Sequence, residues 1–142
     1  MLFRSLHILQ WARENGCDWN ERTCCDAVIG GHLHILQWLR ENGCSWDESI
    51  CYFAAFGDHL HILQWARANG CDWDESVVNT AAEEGNLSVL QWATENGCEW
   101  DSSELYESAR RSGNQAVLNH VIQCYHDHDL EIPDYNLNWN HV

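Results

Sequence analysis

The chain has 142 residues, enough for one domain with a continuous hydrophobic core but too few for a multidomain enzyme. Apolar residues make up 45% of it and nine residues are tryptophan, a composition that indicates a folded protein. The formal net charge of −15 repels phosphate backbones and anionic lipid, which argues against nucleic acid or a membrane surface as a partner. A protein with a basic surface fits better, the alternative being that the acidity serves only solubility.

A pattern of 27 residues repeats along the chain. Two series of tryptophans and one series of cysteines recur at this step. Each cysteine of the series directly follows an Asn-Gly pair. The three series are Trp11, Trp38, Trp65 and Trp92; Cys17, Cys44, Cys71 and Cys98; and Trp19, Trp46, Trp73 and Trp100. Four copies in one register predict an array of similar structural units.

The units differ at the two ends of the array. Residues 1–19 carry only the second half of the pattern and predict a half repeat. Full repeats follow at 20–46, 47–73 and 74–100. The unit 101–128 lacks the Asn-Gly-Cys-x-Trp ending, as expected of a degenerate capping repeat. The polar tail 129–142 is expected to pack on the last repeat or to be partly disordered.

Each full unit has the pattern of two short helices. The first follows a capping aspartate such as Asp74 and ends at a glycine such as Gly85. The second begins at Leu33, Leu60 or Leu87 and ends at Asn-Gly, whose glycine suits the left-handed position after a helix. Helices of about ten residues are too short to be stable alone in water, so stacking must stabilise them. The expected fold is an all-α solenoid of stacked helix–loop–helix repeats.

These units resemble ankyrin repeats. Residues 81–87 read Ala-Ala-Glu-Glu-Gly-Asn-Leu, similar to the alanine pair, glycine and leucine-rich second helix of that family, and residues 70–73 resemble its closing Gly-Ala-Asp-Val. The Thr-Pro-Leu-His signature is absent, and the period is 27 instead of the family's 33. The missing residues fall where the family forms a β-hairpin, so the resemblance implies a hairpin shortened to a turn. Arrays with Leu-Gln-Trp and Gly-Cys-x-Trp are similar to those common in large DNA viruses and protists.

The cellular compartment is expected to be the cytoplasm, or the host cytoplasm if the source is a virus. The apolar runs are too short to span a bilayer, and the first residues lack the apolar segment and cleavage site of a secretion signal. Equivalent cysteines of neighbouring repeats should lie too far apart for a disulfide, since stacked helices are about 8–10 Å apart. Free thiols in this number fit a reducing, intracellular compartment.

The resemblance also implies where a partner binds. In ankyrin stacks the first helices line the concave face, so first-helix positions that change between repeats are the candidates. The expected contact residues are Tyr52, Phe53, Phe56, Asn79, Thr80, Glu83, Tyr106, Glu107 and Arg110, with Cys25, Asp26 and Ile29 at the same positions of the preceding repeat. Three aromatic side chains in one repeat have the character of an interface anchor. The alternative is sequence drift on a solvated face.

The repeated tryptophans and cysteines, and several histidines, are expected to have structural roles. The tryptophans and cysteines repeat without change, which favours packing between repeats over ligand binding. His32 and His59 are expected to form hydrogen bonds in the loop between the two helices. His120 and Cys124, spaced i and i+4, form the one metal-like pair, but a single local pair predicts neither a metal site nor another cofactor.

The sequence contains no catalytic signature. It lacks a phosphate-binding loop, a nucleophile elbow, a His-Glu-x-x-His motif and the dinucleotide glycine pattern. We therefore expect a monomeric, non-catalytic module that binds another protein, as a scaffold or part of an adaptor. The alternative is a purely structural spacer or assembly subunit with no selective partner.

Overall fold

The computed structural model describes residues 6–133, apart from the side chain of Glu21. Within this part the chain forms nine helices and no strand. The helices are α1 (Leu6–Glu14), α2 (Glu21–Ile29), α3 (Leu33–Glu41), α4 (Ser49–Phe56), α5 (Leu60–Ala68), α6 (Glu75–Glu84), α7 (Leu87–Glu95), α8 (Ser102–Ser112) and α9 (Gln115–Asp127). The all-α fold is confirmed, and the predictions for residues 1–5 and 134–142 lie outside the described residues.

The even-numbered helices α2, α4, α6 and α8 are the first helices of the repeats. Side chains cap α2, α6 and α8, and at α4 the Asp47 carboxylate accepts a hydrogen bond of 3.0 Å from the Ser49 amide. At α6 the Asp74 carboxylate accepts a hydrogen bond from the Ser76 amide at 2.9 Å. The Asp101 carboxylate likewise accepts from the Glu104 amide at 3.0 Å at the start of α8. Such bonds satisfy backbone N–H groups of the first turn, which have no hydrogen-bond partner within the helix.

The second helices α1, α3, α5 and α7 end at the repeated Asn-Gly pairs. The Asn69 side chain donates a hydrogen bond of 2.8 Å to the Trp65 carbonyl, which closes the last turn of α5. Gly70 then adopts a φ of 82°, the left-handed conformation that glycine adopts without steric cost. The same geometry recurs after α3 and α7, as the sequence predicts. The links that follow, over 71–74 and its equivalents, contain no strand in the described chain.

The two sets of helices form two layers. First helices contact first helices along the array, in the order α2, α4, α6 and α8, while α5, α7 and α9 contact one another in the second layer. One continuous core lies between the layers. Its largest members are Tyr125, Ile35, Leu36, Leu39, Ile50, Ile62, Leu63, Leu90 and Leu105.

The loop between the two helices of a repeat is tightly packed. A Cβ atom placed at Gly57 would lie 2.6 Å from the His59 ring, and one at Gly31, in the preceding repeat, would lie 2.8 Å from it. His32 and His59 were expected to form hydrogen bonds in this loop; they precede α3 and α5, and neither side chain makes a capping hydrogen bond to its helix. Their rings pack on glycine backbone instead.

Later repeats use asparagine at the same position. The Asn86 amide donates a hydrogen bond of 2.8 Å to the Ala55 carbonyl of the preceding repeat. The Asn114 amide donates a longer bond of 3.4 Å to the Gly85 carbonyl. Hydrogen bonding at this loop therefore links neighbouring repeats, and it depends on asparagine.

The C-terminal segment continues past α9. Ile132 is half-buried and packs against the core, whereas Leu130 is exposed. None of the described helices has the length and apolar character needed to cross a membrane.

Candidate interaction face

The predicted contact residues lie on α4, α6 and α8, which are neighbouring first helices. We call their outer surface, together with that of α2, the first-helix face. Its α2–α4 part is apolar: the side chain of Phe56 is 52% exposed, and Ile29, one repeat earlier, is 50% exposed. Tyr52 and Phe53 are half-buried, with their rings edge-to-face and the ring centroids 5.2 Å apart.

The α6 part of the first-helix face is polar. Glu83, at the position of Phe56, is exposed, and Thr80 is half-buried. Asn79, at the position of Tyr52, is only 8% exposed. The face therefore changes from apolar to polar over one repeat.

The α8 part of the face combines an ion pair with an aromatic side chain. Arg110 donates a hydrogen bond of 3.0 Å to the Glu107 carboxylate, so their charges partly cancel. Tyr106 is half-buried, and its ring centroid lies 6.0 Å from that of Tyr125 in the core. This part offers less apolar surface than α4.

The described tryptophans lie on the second helices and in the links after them, and most are half-buried against the core. Trp46, at the end of one repeat, packs edge-on against Trp65 of the next, with ring centroids 5.6 Å apart. The Arg40 guanidinium lies 4.2 Å over the Trp46 ring and donates to the Cys44 carbonyl at 2.7 Å. The ring pair joins neighbouring repeats, whereas the arginine contacts lie within one repeat. Trp11 of the half repeat is 64% exposed.

Comparison with known families agrees with this architecture. Residues 24–67 match the family model for ankyrin repeats, which spans most of two of the 27-residue units. This part of the chain is similar to ankyrin repeats. No curated protein matches the chain. Ankyrin repeats generally mediate protein–protein interaction, and proteins built from them are typically non-catalytic scaffolds.

The periodic cysteines take the place of the alanine that ankyrin repeats use after the turn. Cys44, Cys71 and Cys98 are buried, and their thiols donate to backbone carbonyls at the start of the first helix of the same repeat. The Cys71 Sγ–Asp47 O distance, for example, is 3.3 Å. Burial raises the pKa of the Cys98 thiol to about 12, because a thiolate is poorly solvated there. Cys17 is exposed.

Two thiol contacts were missed by the sequence reasoning. The Cys51 thiol interacts electrostatically with that of Cys71, and the Cys24 thiol with that of Cys44, which raises the pKa of Cys51 and of Cys24, although all eight cysteines are free. The prediction compared only equivalent cysteines of neighbouring repeats. The missed signal is the spacing of 20 residues in both pairs, which joins a first helix to the end of its own repeat.

The His120–Cys124 pair is part of a hydrogen-bonded group between α7 and α9. The His120 Nε2 atom lies 3.0 Å from the Thr94 hydroxyl and 3.5 Å from the Cys124 sulfur. Burial lowers the pKa of His120 below its usual value, opposed by the nearby Glu95 and Asp127 carboxylates. The described residues contain no group of three or more side chains suited to hold a metal ion.

Proposed function

We propose that the chain is a monomeric, non-catalytic module that binds another protein through the first-helix face. The observation that supports this most is the exposure of Phe56 beside Ile29, about half of each side chain, on neighbouring first helices. Most large apolar side chains of the array are buried or half-buried. Exposed apolar side chains that lie on adjacent elements are typical of a contact surface.

Aromatic residues at the centre of this face support the same proposal. Tyr52 and Phe53 form an edge-to-face pair one turn from Phe56. Aromatic side chains have few rotatable bonds, so they lose little conformational entropy when they contact a partner. Energetically dominant residues of interfaces are often aromatic side chains that become desolvated on binding. The partner is therefore expected to present an apolar side chain to α2 and α4.

The charge of the chain favours a partner with a basic surface. A net charge of −15 accelerates encounter with basic proteins and disfavours acidic ones at low ionic strength. We place this interaction in the cytoplasm, where the free thiols remain reduced.

Selection from a random-peptide display library tests this proposal, because the library contains every class of side chain. Peptides selected on the wild-type protein are measured by fluorescence anisotropy against wild type, Phe56→Ala and Ile8→Ala. Ile8 is the matched control, since it is 64% exposed and lies on the second helix α1. We expect at least about tenfold weaker binding to Phe56→Ala, or about 1.4 kcal/mol, and little change with Ile8→Ala.

Two outcomes would contradict the proposal. Peptides whose affinity falls with Ile8→Ala but not with Phe56→Ala would place the contact surface on the second helices. A failure to enrich any peptide above background would favour the spacer or assembly subunit, which needs no selective face.

A further inference from the structure

The junction between α6 and α8 contains a groove of about 270 Å³ on the first-helix face. Its walls come from one side of α6, including Asn79 and Glu83, and from Glu104, Ser108 and Arg111 of α8. On α8 these three residues are spaced by four and three positions, so they share one face of the helix. The groove therefore runs along both helices.

Two sequence changes at this junction replace apolar or aromatic residues by polar ones. Asn79 occupies the position of Tyr52 in the preceding repeat, and Ser108 occupies the position of Ala54 and Ala81. Both polar side chains are buried, at 8% and 3% exposure. With Thr23, they are the buried polar side chains of the described chain, and two of these three line one groove.

The amide oxygen of Asn79 is buried and has no hydrogen-bond partner among the described residues. An unpaired buried acceptor destabilises a fold, because it has lost its hydrogen bonds to water and has formed none within the protein. The Asn79 side chain lines the groove, and the torsion about its Cβ–Cγ bond has a broad energy profile, so reorienting the amide toward a bound ligand costs little. The groove thus offers an acceptor that a ligand's donor would satisfy.

The charges around the groove select the kind of donor. Asp74, Glu75, Glu83 and Glu104 contribute four carboxylates, and Arg111 is the single cationic side chain of the lining. A cationic donor is attracted by this surplus of negative charge, whereas an anionic group is repelled. An ammonium or guanidinium group also matches an amide oxygen, because it carries only donors.

We propose that this groove binds a basic side chain, arginine or lysine, of the protein partner, with the Asn79 oxygen as acceptor and the Glu83 and Glu104 carboxylates as counter-charges. The proposal rests on the function proposed above and specifies the partner's chemistry at the same face. Phe56 then contributes apolar contact, and the α6–α8 groove contributes selectivity.

The test uses the peptides selected from the random library and the full chain. We expect arginine or lysine to be enriched at one peptide position. Replacing that residue by citrulline or norleucine should weaken binding to wild type at least about tenfold. The same replacement should have little effect with Asn79→Leu, which keeps the side-chain size but removes the acceptor. Asn119→Leu, on the exposed surface of α9, is the control and should behave as wild type.

A second pair of variants keeps the test independent of the folding of Asn79→Leu. Glu83→Gln removes one carboxylate from the groove, and Glu95→Gln removes one from the end of α7 in the same repeat. Only Glu83→Gln should weaken the basic peptides. Peptides that depend on Phe56 but show no basic enrichment, or equal losses with both glutamine variants, would overturn this inference and leave the proposed function intact. Peptides insensitive to Phe56→Ala but sensitive to Ile8→Ala would overturn both.

Discussion

The indole ring of Trp46 lies edge-on to that of Trp65, with centroids 5.6 Å apart, and joins the end of one repeat to the second helix of the next. Trp19 and Trp38 repeat this contact at 5.4 Å, and Trp73 and Trp92 at 5.6 Å. Offset and edge-to-face aromatic pairs stabilise beyond the area they bury. The tryptophan series therefore holds neighbouring repeats together, from a half-buried position at the edge of the core.

Replacing Trp65 by alanine should destabilise the array. The half-buried ring loses its contacts with the core and with Trp46, so we expect a loss of about 2–3 kcal/mol, less than the 3–5 kcal/mol of a fully buried tryptophan. Urea denaturation followed by circular dichroism measures the change. Trp11→Ala is the control, and its 64% exposure predicts a change of about 0.5 kcal/mol or less. Equal losses for both variants would show that the pair adds nothing at the repeat junction.

Replacing Gly57 by alanine should destabilise the loop between α4 and α5. The new methyl group would lie 2.6 Å from the His59 ring, so the ring or the loop has to shift, and we expect a cost of about 1–2 kcal/mol. The cost should fall in a His59→Asn background, because Asn86 occupies this position in the next repeat. A double-mutant cycle measured by thermal denaturation gives the coupling. Additive effects would argue against a clash with the ring.

Acidification should reduce stability through His120. Because burial lowers its pKa in the folded state, His120 gains a proton near pH 6.5 in the unfolded chain and only at a lower pH in the folded protein. The free energy of unfolding should therefore fall as the pH drops from about 7 to about 5.5, above the range in which most carboxylates titrate. His120→Gln should flatten this part of the profile, whereas exposed His126→Gln should not. A profile of identical slope in His120→Gln would contradict the assignment.

Thiol reactivity should separate Cys17 from Cys98, although both hold the same place in the 27-residue pattern. Cys17 is exposed, while Cys98 is buried with a pKa raised to about 12, so roughly one in ten thousand Cys98 thiols is ionised at pH 8. Iodoacetamide should modify Cys17 in the native protein and Cys98 only after denaturation. Peptide mass spectrometry follows both sites. If iodoacetamide modified Cys17 and Cys98 at comparable rates in the native protein, Cys98 would be accessible to solvent and not buried.

Local sequence signals were sufficient to predict where the helices begin and end. The 27-residue step, the capping aspartates and the Asn-Gly pairs act within a few residues, so the second-helix starts and the left-handed Gly70 were predictable. A residue's burial depends on the neighbouring repeat as well. Asn79 was therefore expected on the surface strip, yet its side chain is buried beside Ser108 at the α6–α8 junction.

Contacts across the loop were likewise beyond sequence reasoning. The family pattern suggested hydrogen bonds from His59, but its ring packs on Gly57 and Gly31, which lie in different repeats. The Cys51–Cys71 contact also depends on how α4 meets the end of its repeat. Both relationships follow from the packing of repeats, which a period alone does not specify.

The most direct measurement is a ¹H–¹⁵N NMR titration of the protein with a selected peptide. The described tryptophans lie on second helices and in the links after them, so their indole signals report the second-helix side. If the first-helix face binds the partner, the backbone amide of Phe56 and the side-chain amide of Asn79 should shift, while the indoles of Trp65 and Trp92 stay in place. Large indole shifts with an unchanged Phe56 amide would contradict the claim that the first helices form the binding face.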